Sequence, residues 1–297
     1  MPNNNTSNLF ALVDDEDAPI RRIPLTTALN SELAELFAEQ QAALLNDRQP
    51  IAFTGSYNVD EGEIFTIADY PLPPAIGQAI GNPLTCPLLN LNTETHRIKA
   101  LFSGTWTAAN KTVNFQVFDA GKLLKRGFTL IGSGDTYKKL EEPGLILQDK
   151  LTAHFYNDTL YFSSYHNTKR FLDLADYYRE ATDTDLDDFA AINLFAFEDK
   201  ANFKEQADSI IRKKIALLQK NEVLKNLKVA DIQAVANNFN AELSEEHHIT
   251  IEINDFGKLV IPGDRKRLKE LIRFLDEDYV TAPLTKRKCI TNSKQYL

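Results

Sequence analysis

The chain has 297 residues, 43% hydrophobic and 25% charged, with a formal net charge of −9; this is the balance of a globular protein with a substantial core and excludes a disordered or collagen-like chain. Its two cysteines, Cys86 and Cys289, are far apart with no CxxC spacing, so no disulfide framework or zinc cluster is expected and a reducing cytoplasm is the natural location. The opening MPNNNTSNLFALVDDEDAP meets acids before any long apolar run, and no stretch approaches the roughly 18 apolar residues of a membrane span, which sets aside secretory and transmembrane classes.

Asn30 and Ser31 open SELAELFAEQQAALL, where Leu33, Leu36, Phe37 and Leu44 recur at helical spacing. The Pro- and Gly-broken YPLPPAIGQAIGNPLTCP reads as a loop with at most a helical turn. From His96 to Ser164 short runs rich in β-branched and aromatic residues alternate with Gly, Asn and Asp, which predicts a sheet. LTAHFY and TLYFSS meet at Asn157-Asp158, the polar pair of a tight hairpin. Beyond Tyr165 helical periodicity takes over. NTKRFLDLADYYRE places Phe171, Leu172, Ala175 and Tyr178 on one side, and TDTDLDDFAAINLF, ADSIIRKKIALLQKNEVL and VADIQAVANNFNAEL follow. ITIEI and KLVIP around Asn254 to Gly257 predict a hairpin, DRKRLKELIRFLDED a helix capped by Asp264, and YVT and KCIT extended chain. The fold class is therefore α+β: a mixed, mainly antiparallel sheet in the N-terminal half, residues 1–165, then a helix-rich region, 166–297, closing with a small α/β element.

Charge is distributed unevenly along this chain. Lys204 to Leu297 carries 17 basic against 14 acidic side chains, a balance of +3, which leaves 16 against 28, or −12, for Met1 to Phe203. Halves of opposite sign point to different partners. Catalytic constellations find little support. Asp183, Asp185 and Asp187 alternate like the start of a calcium loop, but the required Gly is Asp188 and the bidentate Glu is Leu194. Thr and Asp there suit a helix N-terminus instead. Glu245, Glu246, His247 and His248 are adjacent rather than spaced as ligands; His154 and His166 flank the hairpin without a nucleophile; Ser133 in IGSGD lacks the nucleophile-elbow context. No catalytic residue, metal or cofactor is assigned. A metal-dependent nuclease would need scattered acids such as Asp119, Asp135 and Glu142 to converge beside a lysine.

Basic groups remain. In the last helix Leu268, Leu271, Ile272 and Leu275 form the apolar stripe, which turns Lys266, Lys269 and Arg273 outward. Lys266–Glu270 and Arg273–Glu277 are i,i+4 pairs, worth only about 0.2–0.5 kcal/mol each. The helix from Asp208 buries Ile211, Ile215 and Leu218 and exposes Arg212, Lys213 and Lys220, while Lys122, Lys125 and Arg126 cluster in the sheet region. Lys286, Arg287, Lys288 and Lys294 complete a basic ending suited to phosphates, since each neutralised phosphate releases counterions. Screening over roughly 8 Å lets such a face act on an acidic molecule. A structural alternative stands beside it: Asn292, Ser293 and Lys294 would lock the terminal strand through side-chain hydrogen bonds.

From Leu151 to Leu297, the stretch LTAHFYNDTLYFSSYHNTKRFLDLADYYREATDTDLDDFA and the terminal LVIPGDRKRLKELIRFLDEDYVTAPLTKRKCITNSKQYL together resemble the KwaB family of the bacterial Kiwa anti-phage system. The resemblance implies a cytoplasmic protein that associates with a membrane partner, KwaA, and binds double-stranded DNA without sequence preference, blocking phage replication and transcription with no assigned reaction. The charge split, set beside that resemblance, suggests a division of labour that the family itself does not supply, with the acidic half facing the Lys- and Arg-rich cytoplasmic loops of the membrane protein and the basic end facing DNA. A homodimer would double the basic surface. A protein-docking scaffold with no affinity for DNA is the remaining alternative.

Overall fold

A computed structural model describes residues 8–119, 121, 123–124, 130–133, 136–140, 143–220, 223–291 and 293–294. The chain divides into two units: Met1–Phe53 with Val59–Asp173, and Thr54–Asn58 with Leu174–Leu297. Among the described residues no helix is long and apolar enough to cross a membrane.

The first unit contains β1 (Phe10–Val13), β2 (Ile20–Arg22), α1 (Thr27–Leu45), β3 (Gln49–Ala52), β4 (Glu63–Ile67), α2 (Pro74–Gly81), β5 (Ile98–Trp106) and β6 (Lys111–Val117). It continues with β7 (Leu123–Leu124), β8 (Leu130–Ser133), β9 (Thr136–Lys139), β10 (Gly144–Leu145), β11 (Ala153–Tyr156), β12 (Thr159–Phe162) and the single turn α3 (Tyr165–Thr168). One sheet follows the order β2-β1-β5-β6-β11-β12-β4-β3. Its pairings are antiparallel except β3 with β4, so the mixed, mainly antiparallel sheet expected of the N-terminal half is present.

Register explains why the sheet is fixed in place. Phe10, Phe102, Phe115, Ala153, Phe162 and Phe65 lie opposite one another on six successive strands. Phe10 and Phe102 stack at 5.2 Å between ring centres, while Phe102 and Phe115 at 5.8 Å, and Phe65 and Phe162 at 5.5 Å, meet with tilted rings. A slip of one residue would turn this row to the opposite face. Helix α1 covers the other face with Leu33, Phe37 and Leu44, in a core with Leu9, Ile64, Ile98 and Leu101. Amid that apolar contact, buried Gln116 donates to Gln40 Oε1 at 2.7 Å and accepts from the Gln148 N–H at 2.9 Å. The Asn157-Asp158 hairpin forms with both residues left-handed, φ 42° and 67°, as a two-residue primed turn requires.

Three expectations about helices are corrected. Helix α1 begins a turn earlier than Asn30-Ser31: Thr26 caps it by accepting from Leu29 N at 3.2 Å, and Ser31 Oγ donates back to Thr27 O. The proline-rich loop holds two turns of helix, α2, because Pro74 occupies the first turn, where its missing N–H costs nothing. Gly77 there lies against Trp106; a Cβ would stand 2.3 Å from the indole. Finally, only Asn167 and Thr168 of NTKRFLDLADYYRE are helical, as the end of α3. The Leu172 N–H still reaches Thr168 O, but Tyr177 and Tyr178 N–H turn to Leu174 O. Phe171 packs on Phe115 in the first unit, and from Leu174 the chain belongs to the second. No single helical stripe serves both cores.

The second unit contains α4 (Asp183–Ala191), β13 (Phe195–Phe197), α5 (Lys200–Gln206), α6 (Ser209–Lys220), α7 (Val229–Asn240), β14 (Leu259–Ile261), α8 (Arg265–Leu275), β15 (Tyr279–Thr281) and β16 (Lys288–Ile290). Its core joins Leu186 and Phe189, Phe203, the α6 stripe Ile211, Ile215 and Leu218, and the α8 stripe Leu268, Leu271, Ile272 and Leu275. Fully burying each such side chain contributes about 1.5–3 kcal/mol. The Asn254–Gly257 turn forms, with Gly257 at φ 73°, yet the ladder of β14 runs parallel to β13, and ITIEI meets it only at the Ile253–Leu259 bridge. YVT and KCIT pair as the antiparallel β15–β16 hairpin.

Candidate nucleic-acid interface

Helix α8 is set by its ends. Asp264 accepts from Arg267 N at 2.9 Å, which caps the first turn, and the buried leucine stripe fixes which side faces out. Arg265 turns to Asp208 (2.6 Å) and Arg267 to Glu252. Lys266 is exposed and Lys269 half-buried, and neither forms an ion pair among the described residues; the i,i+4 pairing of Lys266 with Glu270 is not made.

The β15–β16 hairpin supplies the next cations. Lys286 and Arg287 lie exposed in its turn and likewise form no ion pair among the described residues. Lys288, by contrast, has its ammonium 3.2 Å from Glu242, 3.0 Å from Thr281 Oγ1 and 4.9 Å above the Phe239 ring. A groove of about 610 Å³ runs between these elements, lined by Phe239, Tyr279 and Ile290, by the cations Lys266, Arg267 and Lys288, and by the acids Glu245, Glu246 and Glu270. The α8 N-terminal turn and the hairpin thus border one concavity. Burial, followed by the nearby Glu270 carboxylate, raises the Tyr279 phenol above its usual range.

The remaining sequence candidates are spent inside the unit. Arg212 donates to Ala207 O and Ala181 O, both at 2.9 Å, and pairs with Asp183 at 2.8 Å; Lys213 lies 3.7 Å from Glu180. Lys220 donates to Tyr177 O at 2.9 Å, and burial lowers its pKa, partly offset by Asp176. Arg273 turns to Asp278 at 3.6 Å rather than to Glu277. Lys294 is 2.8 Å from Asp276 and 3.1 Å from Asp278, with its side chain only 10% exposed. Burial disfavours its charge, but the hydrogen bond and proximity to Asp276, then Asp278, outweigh that and hold its pKa above the ordinary lysine value.

Lys214 joins the same cluster, 2.7 Å from each carboxylate. Three cations therefore face two carboxylates in the interior of the unit. Lys294 N donates to Ser56 O at 2.7 Å and Asn58 N to Ser293 Oγ at 3.1 Å, so the terminal segment is fastened through Ser293 and Lys294. Asn292 lies outside the described residues. Sequence reasoning passed over Lys214, Asp276 and Asp278. A signal was present: Asp276 and Asp278 follow the C-terminus of α8, where the helix dipole disfavours anions unless cations meet them.

Other candidates resolve simply. Thr182 and Asp185 close a capping box on α4, and Arg179, outweighing the opposing effect of burial and aided by Thr182, holds the Asp185 carboxyl well below the usual range. His247 lies 3.7 Å from Glu246 on the surface, and no group of three or more metal-ligating side chains occurs among the described residues. Asp119 is exposed, while Asp135, Glu142, Lys122, Lys125 and Arg126 lie outside the described residues, as does the Ser133 side chain.

His154 is buried against Asn114 Oδ1 (2.6 Å) and the rings of Tyr156 and Tyr161, whereas His166 lies in α3 against Tyr165. Burial pushes the His154 pKa down to about 4 from 6.5. The unfolded chain therefore binds a proton that the folded chain refuses between those values. Stability from this group is complete above pH 6.5 and falls as pH drops toward 4, by about 3 kcal/mol in all. Denaturant unfolding at successive pH values should show that loss, and His154→Gln should flatten it.

A profile described as "Kiwa protein KwaB-like" matches residues 108–285, more than half of the chain. The chain belongs to this family. The match begins just before β6 and ends at Thr285, so it takes in α6, α8 and Lys266, Lys269 and Arg273, while Lys286 to Lys294 follow its last residue. Membership in the KwaB-like family gives the chain a role in Kiwa anti-phage defence. No curated protein and no solved structure matches the chain.

Proposed function

We propose that the chain binds double-stranded DNA without sequence preference, through Lys266 and Lys269 of α8 and Lys286 and Arg287 of the hairpin. The observation that supports this is the contrast among the basic side chains. Of the ten sequence candidates, Arg212, Lys220, Lys288 and Lys294 are held by carboxylates or carbonyls of the chain itself, and Lys213 and Arg273 lie 3.7 and 3.6 Å from a carboxylate. The other four form no ion pair among the described residues; Lys266 lines the groove, and Lys269, Lys286 and Arg287 belong to the same two elements that border it without lining it. Cations without local partners are the ones that exchange counterions for phosphates.

In this reading the chain acts in the cytoplasm at the inner face of the membrane. A membrane partner, KwaA, meets the acidic N-terminal region, and bound duplex is withheld from phage replication and transcription. A homodimer would present the basic face twice and raise avidity.

A gel-retardation assay with two unrelated duplexes of equal length tests the proposal. Equal retention of both at low salt is expected. Absence of retardation would favour a docking scaffold, and magnesium-dependent cleavage by pure protein would favour a nuclease.

A further inference from the structure

We infer that the tip of the β15–β16 hairpin is a wedge for the minor groove of duplex DNA, in which Leu284 enters between base pairs while Lys286 and Arg287 hold the flanking phosphates. The inference rests on the duplex-binding reading above and specifies how one element of that surface engages its ligand. Leu284 is 94% exposed, whereas Leu268, Leu271 and Leu275 of the preceding helix are buried. An aliphatic side chain this exposed gains nothing from the fold that carries it.

The turn is nonetheless built to hold it. Ala282 N donates to Arg287 O and Lys286 N to Ala282 O, each at 2.9 Å, and Arg287 N donates to Thr285 Oγ1 at 3.4 Å. Pro283 restricts its own φ, and Lys286 accepts the left-handed conformation, φ 58°. The base of the ribbon is tied to the core. Tyr279 sets its ring edge-on to Phe239 and Phe274 at 5.7 and 6.0 Å, and Thr291 N donates to Asp278 O at 2.8 Å. A push on the tip is therefore transmitted to packed structure rather than absorbed by the loop.

Charge and size decide the occupant. Lys286 and Arg287, which form no ion pair among the described residues, follow the leucine after Thr285, and the narrow minor groove concentrates negative potential that attracts such side chains. Proteins that bend DNA insert single apolar residues, leucine and proline among them, between base steps. A lipid surface would ask for a broad apolar face, which one leucine does not supply. Phe256, also highly exposed, sits in the Asn254–Gly257 turn beside Asp255 and lacks the pair of free cations.

The test uses the full chain and a duplex carrying 2-aminopurine at a central TA step, the kind of step most easily unstacked. Wild type should retain the duplex and raise 2-aminopurine emission, and netropsin should compete. Leu284→Ser, at a solvent-exposed position, should keep the fold and lower affinity by roughly ten- to a hundredfold, while the emission rise is lost. Retention with unchanged emission and no netropsin competition would overturn the wedge and leave the duplex-binding reading standing. No retention by wild type would overturn both. Leu284-dependent partition onto phosphatidylglycerol vesicles without any duplex effect would reassign the tip to a membrane.

Discussion

Replacing Asp278 with alanine is expected to lower the thermal unfolding midpoint by on the order of 10 °C, the consequence of about 3–5 kcal/mol lost when one partner of a buried ion network is removed. Asp278 is fully buried and meets Lys214 at 2.7 Å, Lys294 at 3.1 Å and Arg273 at 3.6 Å. Without it, Lys214 and Lys294 would share Asp276 alone where little water reaches them, and Arg273 would lose its neighbouring carboxylate. Lys294→Met should cost much less, because it leaves two cations opposite two carboxylates. Circular dichroism melts of the two variants should rank them in that order. Equal losses would mean that fastening of the terminal segment, rather than charge balance, sets the cost.

Charge reversal at Lys266, Lys269 and Arg287 together is expected to weaken duplex binding by on the order of a hundredfold or more, with little change in stability. These side chains form no ion pair among the described residues, so reversing them breaks no pair within the described fold. The same reversal at Arg212 would test nothing about DNA, since it would set a carboxylate beside Asp183 and abandon two backbone carbonyls. Gel retardation, with a melting curve as control, separates the two cases. Full retention by the triple variant would move the contact elsewhere on the chain.

The sequence carried the fold where periodicity and burial agree. The Phe-rich strands between His96 and Ser164, the Asn157-Asp158 turn and the leucine stripe of α8 could be read directly, because each occupies one environment along its length, whereas the short strands β1 to β4 ahead of them were not read. The helix expected over NTKRFLDLADYYRE failed because its apolar residues serve two cores. The ending was harder to read for a related reason: a lysine's formal charge does not say whether folding will bring a carboxylate to it. Lys294 and Lys288 are written like Lys286 and Arg287, yet Asp276, Asp278 and Glu242 claim the first two. Only the misplaced acids Asp276 and Asp278 after α8 hinted at that outcome.

Retention of a short duplex by the intact chain, followed between about 50 and 200 mM salt, is the direct measurement. Four phosphate contacts predict a logarithmic slope of about −3.6 against salt concentration, and reversal of three of the four should remove roughly three-quarters of it. An affinity that holds level across that range, or is absent even at its lower end, would contradict a surface formed by cations free to meet phosphates.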